Sequence, residues 1–257
     1  MTRTLALELA GARIDLRLPG APPAIVAERY AAFSRAPGPA RWVFELHPGP
    51  LPAAEQMTGR VTARDGTLRL EGLEPHGHLD AATCRGEALL DPYLVVVDAL
   101  VRTAIALDLC ARGGCLVHAA ALVVDGVAHL APGRSGAGKS TLAGLAGDVL
   151  SDELCAVIPD GEILRVHGTP WWKGRPGAVP LGAVWSLAWG AERTDPLSPA
   201  PALRHLCTNL VLPGHRPAER TAFELCGRVA ATIPFGRLSF RPDTDVDALL
   251  RRRRIGA

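Results

Sequence analysis

Residues 133–140 read GRSGAGKS, and no other stretch constrains the chain as tightly. The segment fits G-x-x-x-x-G-K-[ST], the phosphate-binding loop, without a mismatch. Before it, residues 116–130 (LVHAAALVVDGVAHL) read as two short apolar strands turning at Asp125-Gly126. After it, residues 141–146 (TLAGLA) open a helix. Strand, glycine loop and helix start are what phosphate binding needs. Glycines let backbone N–H groups converge on phosphate oxygens without Cβ clashes. A helix start adds unpaired donors and partial positive charge. The motif assigns Gly133, Ser135, Gly136, Ala137, Gly138, Lys139, Ser140 and Thr141 to nucleotide contact. Lys139 is expected to reach the β- and γ-phosphates, and the Ser140 hydroxyl to bind Mg²⁺.

The rest of the chain divides around this loop. At 257 residues it has room for one large domain or two small ones. Residues 11–18 (GARIDLRL) alternate apolar and polar and read as a strand. Residues 24–33 read as a helix and 42–46 as a second strand. A loop is expected over 48–53, a hairpin over 59–73 turning at Asp65-Gly66, and one further strand over 77–89. Residues 92–112 form the clearest helix, with Val96, Leu100, Ala104 and Leu107 in one stripe and Gly113-Gly114 ending it. Residues 1–112 thus read as a small α+β unit without a catalytic motif, and 113–257 as the nucleotide core. In the core, strands are expected over 149–158 (broken at Ser151-Asp152-Glu153), 163–166, 181–189 and 237–240. Helices are expected over 198–212, with Ser198 as N-cap, over 217–231 and over 243–254.

Charge and cysteines narrow the setting. A net charge of +2 makes no case for nucleic acid, and the basic run 251–254 reads as a solvated tail. No pair of the six cysteines has C-x-x-C spacing, so zinc is not expected, and Cys110 and Cys155 read as small core residues. The apolar stretch 93–111 is interrupted by Asp98, Arg102 and Asp108, which excludes an ordinary membrane span. No basic-then-apolar leader opens the sequence, and the expected setting is the cytoplasm with reduced thiols.

Two carboxylates follow the loop closely. Asp152 and Glu153 sit among apolar residues, where an unpaired charge is costly, so a metal or cation is expected beside them. Neighbours on a strand face opposite sides, so one carboxylate meets Mg²⁺ while the other takes a proton from an acceptor hydroxyl; which does which stays open. His118, on the strand entering the core, reads by itself as a hydrogen-bonded core histidine.

Val117-His118, a hairpin, GRSGAGKS and then Ser151-Asp152-Glu153 together resemble the HPr kinase/phosphorylase superfamily and its serine-kinase relatives. Gly174-Arg175-Pro176-Gly177 before an apolar strand looks like that family's arginine-bearing segment. The resemblance covers about 115–190. It implies a phosphate-loop core similar to the C-terminal domain of HPr kinase and to ATP-dependent phosphoenolpyruvate carboxykinase, so the fold class expected is α/β, α+β overall. It implies transfer of phosphate from ATP or another purine nucleotide, with Mg²⁺, to a serine-type hydroxyl of a peptide, protein or small molecule. By carry-over, His118 helps activate Asp152 or Glu153 as base, Ser140 and the other carboxylate hold Mg²⁺, and Arg175 stabilises the transferring phosphoryl charge. Homo-oligomers occur in the family. The chain departs from the pattern in three ways. The second acid is Glu153 where the family usually has aspartate, the helix after Ser140 has room for about two turns, and no acceptor-protein segment of true HPr kinases is visible. A role in peptide modification fits this better than control of sugar transport. The alternative is a catalytically inactive module that binds nucleotide or peptide.

Overall fold

The computed structural model describes residues 2–48, 60–64, 67–71, 77–90 and 94–252. Residues 49–53 of the loop expected over 48–53, the turn at Asp65-Gly66, Pro92-Tyr93 and the end of the basic tail lie outside the described residues. The protein is mixed α and β, with two mixed sheets and six α-helices among the described residues. The chain divides into two compact units. One runs up to Asp108 and takes in Leu212–Glu219; the other holds Leu109–Val211 and the chain from Arg220 onward.

The first unit is built on seven strands: β1 (Thr2–Leu9), β2 (Ala12–Pro19), β3 (Trp42–His47), β4 (Arg60–Arg64), β5 (Thr67–Glu71), β6 (Gly77–Asp80) and β7 (Arg85–Leu89). Their order is β1-β2-β3-β7-β6-β5-β4, with β2–β3 and β3–β7 parallel and the other pairs antiparallel. Along β2, Ala12, Ile14, Leu16 and Leu18 are buried and their neighbours are not, the period of two of a half-covered strand. Strand β3 instead buries Trp42, Val43, Phe44 and Leu46, as expected of a strand with a parallel neighbour on each side. Helix α1 (Ala24–Tyr30) runs into a 3₁₀ turn over Ala31–Phe33. Helix α2 (Val95–Ala111), whose last residues belong to the other unit, buries Val96, Val97, Leu100, Val101 and Ala104, and Gly113 closes it at φ 78°.

The second unit carries β8 (Cys115–Val124), β9 (Val127–Pro132), α3 (Lys139–Leu145), β10 (Val149–Ser151), β11 (Leu154–Asp160), β12 (Ile163–His167), β13 (Ala178–Trp189), β14 (Arg193–Pro196), α4 (Pro199–Cys207), α5 (Arg216–Thr232), whose first residues belong to the other unit, β15 (Phe235–Phe240) and α6 (Val246–Arg251). The pairings β8–β9, β9–β13, β13–β12, β12–β11 and β11–β8 close a ring of five strands. Strand β13 extends beyond the ring to pair with β15, and β15 with the edge strand β14. One core cluster joins Leu142 and Ala143 of α3, Val246 and Leu250 of α6, Ala120 and Leu122 of β8, and Trp185 and Phe240. Each of the leucine, valine and phenylalanine side chains in it contributes roughly 1.5–3 kcal/mol when fully buried. No helix among the described residues is long and apolar enough to cross a membrane.

Several elements differ from the sequence expectations for physical reasons. Residues 2–9 (TRTLALEL) are rich in helix formers, yet they pair with β2 over eight residues; pairing overrides propensity. Residues 77–89 form two strands rather than one, turning at 81–84 with Cys84 at φ 56°. The short, charged, proline-ended β14 shows little strand pattern because it is an edge. Helix α4 stops at Cys207, not near 212, because Thr208 Oγ1 and Asn209 Nδ2 both donate to the His205 carbonyl. Ser198 stands at its N-cap without a side-chain bond. Helix α6 starts at Val246, where the Asp245 carboxylate accepts from the Ala248 N–H.

In the first unit Tyr30 donates its hydroxyl to Asp98 at 2.7 Å, with both side chains buried, and burial pushes the phenol pKa up. Tyr30→Phe removes the donor and leaves the carboxylate under-solvated. We expect a loss of about 1–3 kcal/mol, read as a lower midpoint in urea denaturation; an unchanged midpoint would contradict the role of this bond.

Candidate functional site

The register of β8 brings the site together. Ala119 of β8 pairs with Pro132 on one side, and its N–H donates to the Glu153 carbonyl on the other. The phosphate-loop segment leaves β9 at Pro132, and the acidic pair sits between β10 and β11. Both therefore emerge at the same level of the sheet. His118 lies one residue away: its carbonyl accepts from Gly133 N–H at 3.1 Å, and its N–H donates to the Asn209 carbonyl at 2.8 Å.

The loop adopts a tight conformation. Gly136 and Gly138 have φ of 80° and 96°, and Gly138 is the N-cap of α3. A Cβ on Gly138 would also lie 3.2 Å from Phe240 and 3.3 Å from Trp189, so glycine is required by both backbone and space. Lys139, only 6% exposed, folds back on the loop. Its Nζ donates to the Gly133 carbonyl at 2.7 Å and the Arg134 carbonyl at 3.1 Å. Burial lowers the Lys139 pKa, while Glu153 and, to a lesser degree, Asp152 hold it up.

The acidic pair occupies a bend rather than a strand. Ser151 pairs with Ala121 and Leu154 with His118, so the register against β8 continues across the bend. Strand alternation predicted that the two carboxylates face opposite sides; because 152–153 leave the strand conformation, both instead line one cleft. The bend is pinned on several sides. Ser151 Oγ and Thr169 Oγ1 both donate to the Leu154 carbonyl, and the Arg175 N–H donates to the Leu150 carbonyl. The buried Asp152 carboxylate accepts the Lys173 N–H at 3.1 Å. Cys155, fully buried, donates its thiol to the Ala119 carbonyl.

The cleft has a volume of about 340 Å³. His118, Ser135, Gly136, Gly138, Lys139, Ser140, Thr141, Asp152 and Glu153 line it, together with Trp172 and Trp189. Gly133 and Ala137 are not among the lining residues; the Gly133 carbonyl accepts from Lys139. Arg175 is not among the residues that line the cleft. Its Nη2 donates to both oxygens of Asp148, just before β10, at 2.7 and 2.9 Å, and its Nε donates to one of them at 3.2 Å. The two tryptophans were not picked out as site residues in the sequence. Neither was Asn209, whose carbonyl holds the His118 N–H, nor His205, whose Nε2 lies 2.9 Å from the Pro132 carbonyl.

The donor set suits a hard cation. Ser140, Asp152 and Glu153 present a hydroxyl and two carboxylates to one cleft, the oxygen chemistry Mg²⁺ takes while keeping waters and phosphate oxygens as its other ligands. Among the described residues no group of three His, Cys, Asp or Glu is arranged to hold a metal by itself. No family model matches the chain, and no curated protein matches its sequence.

Two half-buried histidines make the fold acid-sensitive. Burial lowers the pKa of His167, helped by Arg112 and Arg165; burial also lowers that of His205, against the pull of the Pro132 carbonyl. The unfolded chain takes up these protons near the ordinary value of 6.5, the folded chain only at lower pH. Stability is therefore level above 6.5 and falls as pH drops from there through the depressed folded values. We expect the denaturation midpoint to fall between about pH 7 and about pH 5, and His205→Gln to flatten the fall. An identical pH dependence in the variant would remove His205 from this effect.

Proposed function

We propose that the chain is a nucleotide-dependent phosphotransferase of the HPr kinase/phosphorylase type, passing the γ-phosphoryl group of ATP or another purine nucleotide to a serine-type hydroxyl of a peptide, protein or small molecule. The observation that carries this reading is the convergence of Lys139, Ser140, His118, Asp152 and Glu153 on one cleft. The loop motif supports nucleotide binding. The carboxylates beside it support transfer to a hydroxyl.

The residues divide the work by position. An ammonium has three donors; two of those of Lys139 go to loop carbonyls, and the third is left for a phosphate oxygen. In this scheme Glu153, whose charge acts on Lys139 together with that of Asp152, stands with Ser140 on the metal side. Asp152, held by the Lys173 N–H, is then the base. It takes the proton of the acceptor hydroxyl as the new O–P bond forms and the bond to the β-phosphate oxygen breaks. Mg²⁺, when bound, supplies neutralisation of charge on the β- and γ-phosphates. His118 lines the same cleft and, by the resemblance, helps activate the base. Arg175, engaged by Asp148, has no part in this scheme.

A second reading is a nucleotide-gated or peptide-binding module without turnover. It is favoured by α3, whose seven residues give the loop a short support. Labelled ATP with candidate hydroxyl acceptors separates the two readings, since only the first yields a phosphorylated product.

Lys139→Ala is expected to weaken MgATP binding in calorimetry, and equal affinity in wild type and variant would count against the loop as the site. Asp152→Asn keeps the shape of the side chain and removes its charge. It should lower transfer by a factor on the order of 10² or more with nucleotide affinity retained. Full turnover in Asp152→Asn would remove this residue as base.

A further inference from the structure

The cleft contains two aromatic surfaces that the phosphotransfer scheme leaves unused. Trp189, at the end of β13, is 55% exposed and lines the cleft. One side of its indole is fixed: the ring packs on buried Phe240 with centroids 4.8 Å apart at 35°, and its Cζ2–Cε2 edge abuts Gly138 of the phosphate loop. Trp172 is placed otherwise. It sits at φ 56°, where a bulky residue is strained, and is 68% exposed. The next residue, Lys173, donates its N–H to Asp152, so Trp172 belongs to the acidic end of the cleft.

A nucleotide anchored by its phosphates on residues 133–140 needs a surface for its base. The lining residues other than those of 133–141 are His118, Asp152, Glu153, Trp172 and Trp189. The first three gather around the reacting end. Of the two indoles, Trp189 alone is braced against the loop itself and held in place by a packed neighbour, so stacking on it costs little ordering. We propose that Trp189 is the platform on which the nucleobase stacks, and that the base is read by stacking and not by hydrogen bonds, so that adenine and guanine nucleotides are held alike. Every base has a π face, and stacking on an aromatic side chain tolerates base identity. The inference rests on the reading of the cleft as a nucleotide site.

Calorimetry on the full chain tests it with three ligands: MgATP, MgGTP and magnesium tripolyphosphate, which has the phosphates without the base. Wild type is expected to bind ATP and GTP within a few-fold of each other. Trp189→Ala should weaken both by roughly tenfold or more while tripolyphosphate affinity stays unchanged. Trp189→Phe, which keeps a stacking face, should retain most of the affinity, and Trp172→Ala should weaken ATP and GTP less than Trp189→Ala does. Trp189→Ala with unchanged nucleotide affinity overturns the proposal, as does an equal loss for tripolyphosphate, which would place the effect in the loop. A loss on Trp172→Ala in place of Trp189→Ala overturns the assignment. A strong preference of wild type for one purine overturns reading by stacking alone. Wild type that binds tripolyphosphate but no nucleotide overturns the platform and leaves the phosphate loop standing; wild type that binds none of the three overturns the nucleotide reading itself.

Discussion

A buried ammonium sets the terms for the second unit. Lys139 is withdrawn from solvent, and desolvating a lysine is expensive unless other groups replace its water. Two loop carbonyls and the field of two carboxylates do so. Each partner needs the others. Without Lys139, Asp152 and Glu153 would be two acids crowded into a small cleft. Without the acids, the folded-back lysine would lose the charges that hold its pKa up. The cluster is thus balanced by charges already present in the folded chain.

Sheet register is what brings these charges together. The loop leaves β9 on one side of β8 and the acids leave β10 on the other, and both do so beside Ala119. A slip of one residue in either pairing would turn the side chains of that strand to the other face. The closed ring of β8, β9, β13, β12 and β11 resists such a slip, since a change in one pairing must pass through all five. Thr169, Lys173 and Arg175 add bonds from the following segment onto the acid-bearing turn. Most of these bonds use backbone groups, so much of the clamp is written in the path of the chain.

What could be read from the sequence follows from how each feature is encoded. The loop declares itself because its backbone needs glycine at fixed spacing, and Gly136 and Gly138 do take positive φ. The hairpin before it was legible in the Asp125-Gly126 turn between apolar runs, and the break in the strand over 149–158 in its three polar residues. Arg175 was not legible, because a Gly-Arg-Pro-Gly pattern says nothing about the Asp148 carboxylate that captures it. Trp171 and Trp172 are adjacent and chemically identical, yet one is fully buried and the other mostly exposed; only the fold distinguishes them. Trp185 and Trp189 repeat the lesson on one strand, the first in the core and the second on the cleft. Strand β1 was hidden by helix-favouring residues whose pairing partner, β2, decides their state.

The central claim is that the loop and the acidic bend form one site for a nucleotide's phosphates and metal. A crystal structure grown with Mg²⁺ and a non-hydrolysable ATP analogue tests it most directly. The expected result is a triphosphate in the curve of residues 133–140, Lys139 donating to a phosphate oxygen, and a magnesium ion between Ser140 and one of the two carboxylates. A triphosphate bound away from the loop, or an ion that touches neither Asp152 nor Glu153, would contradict it.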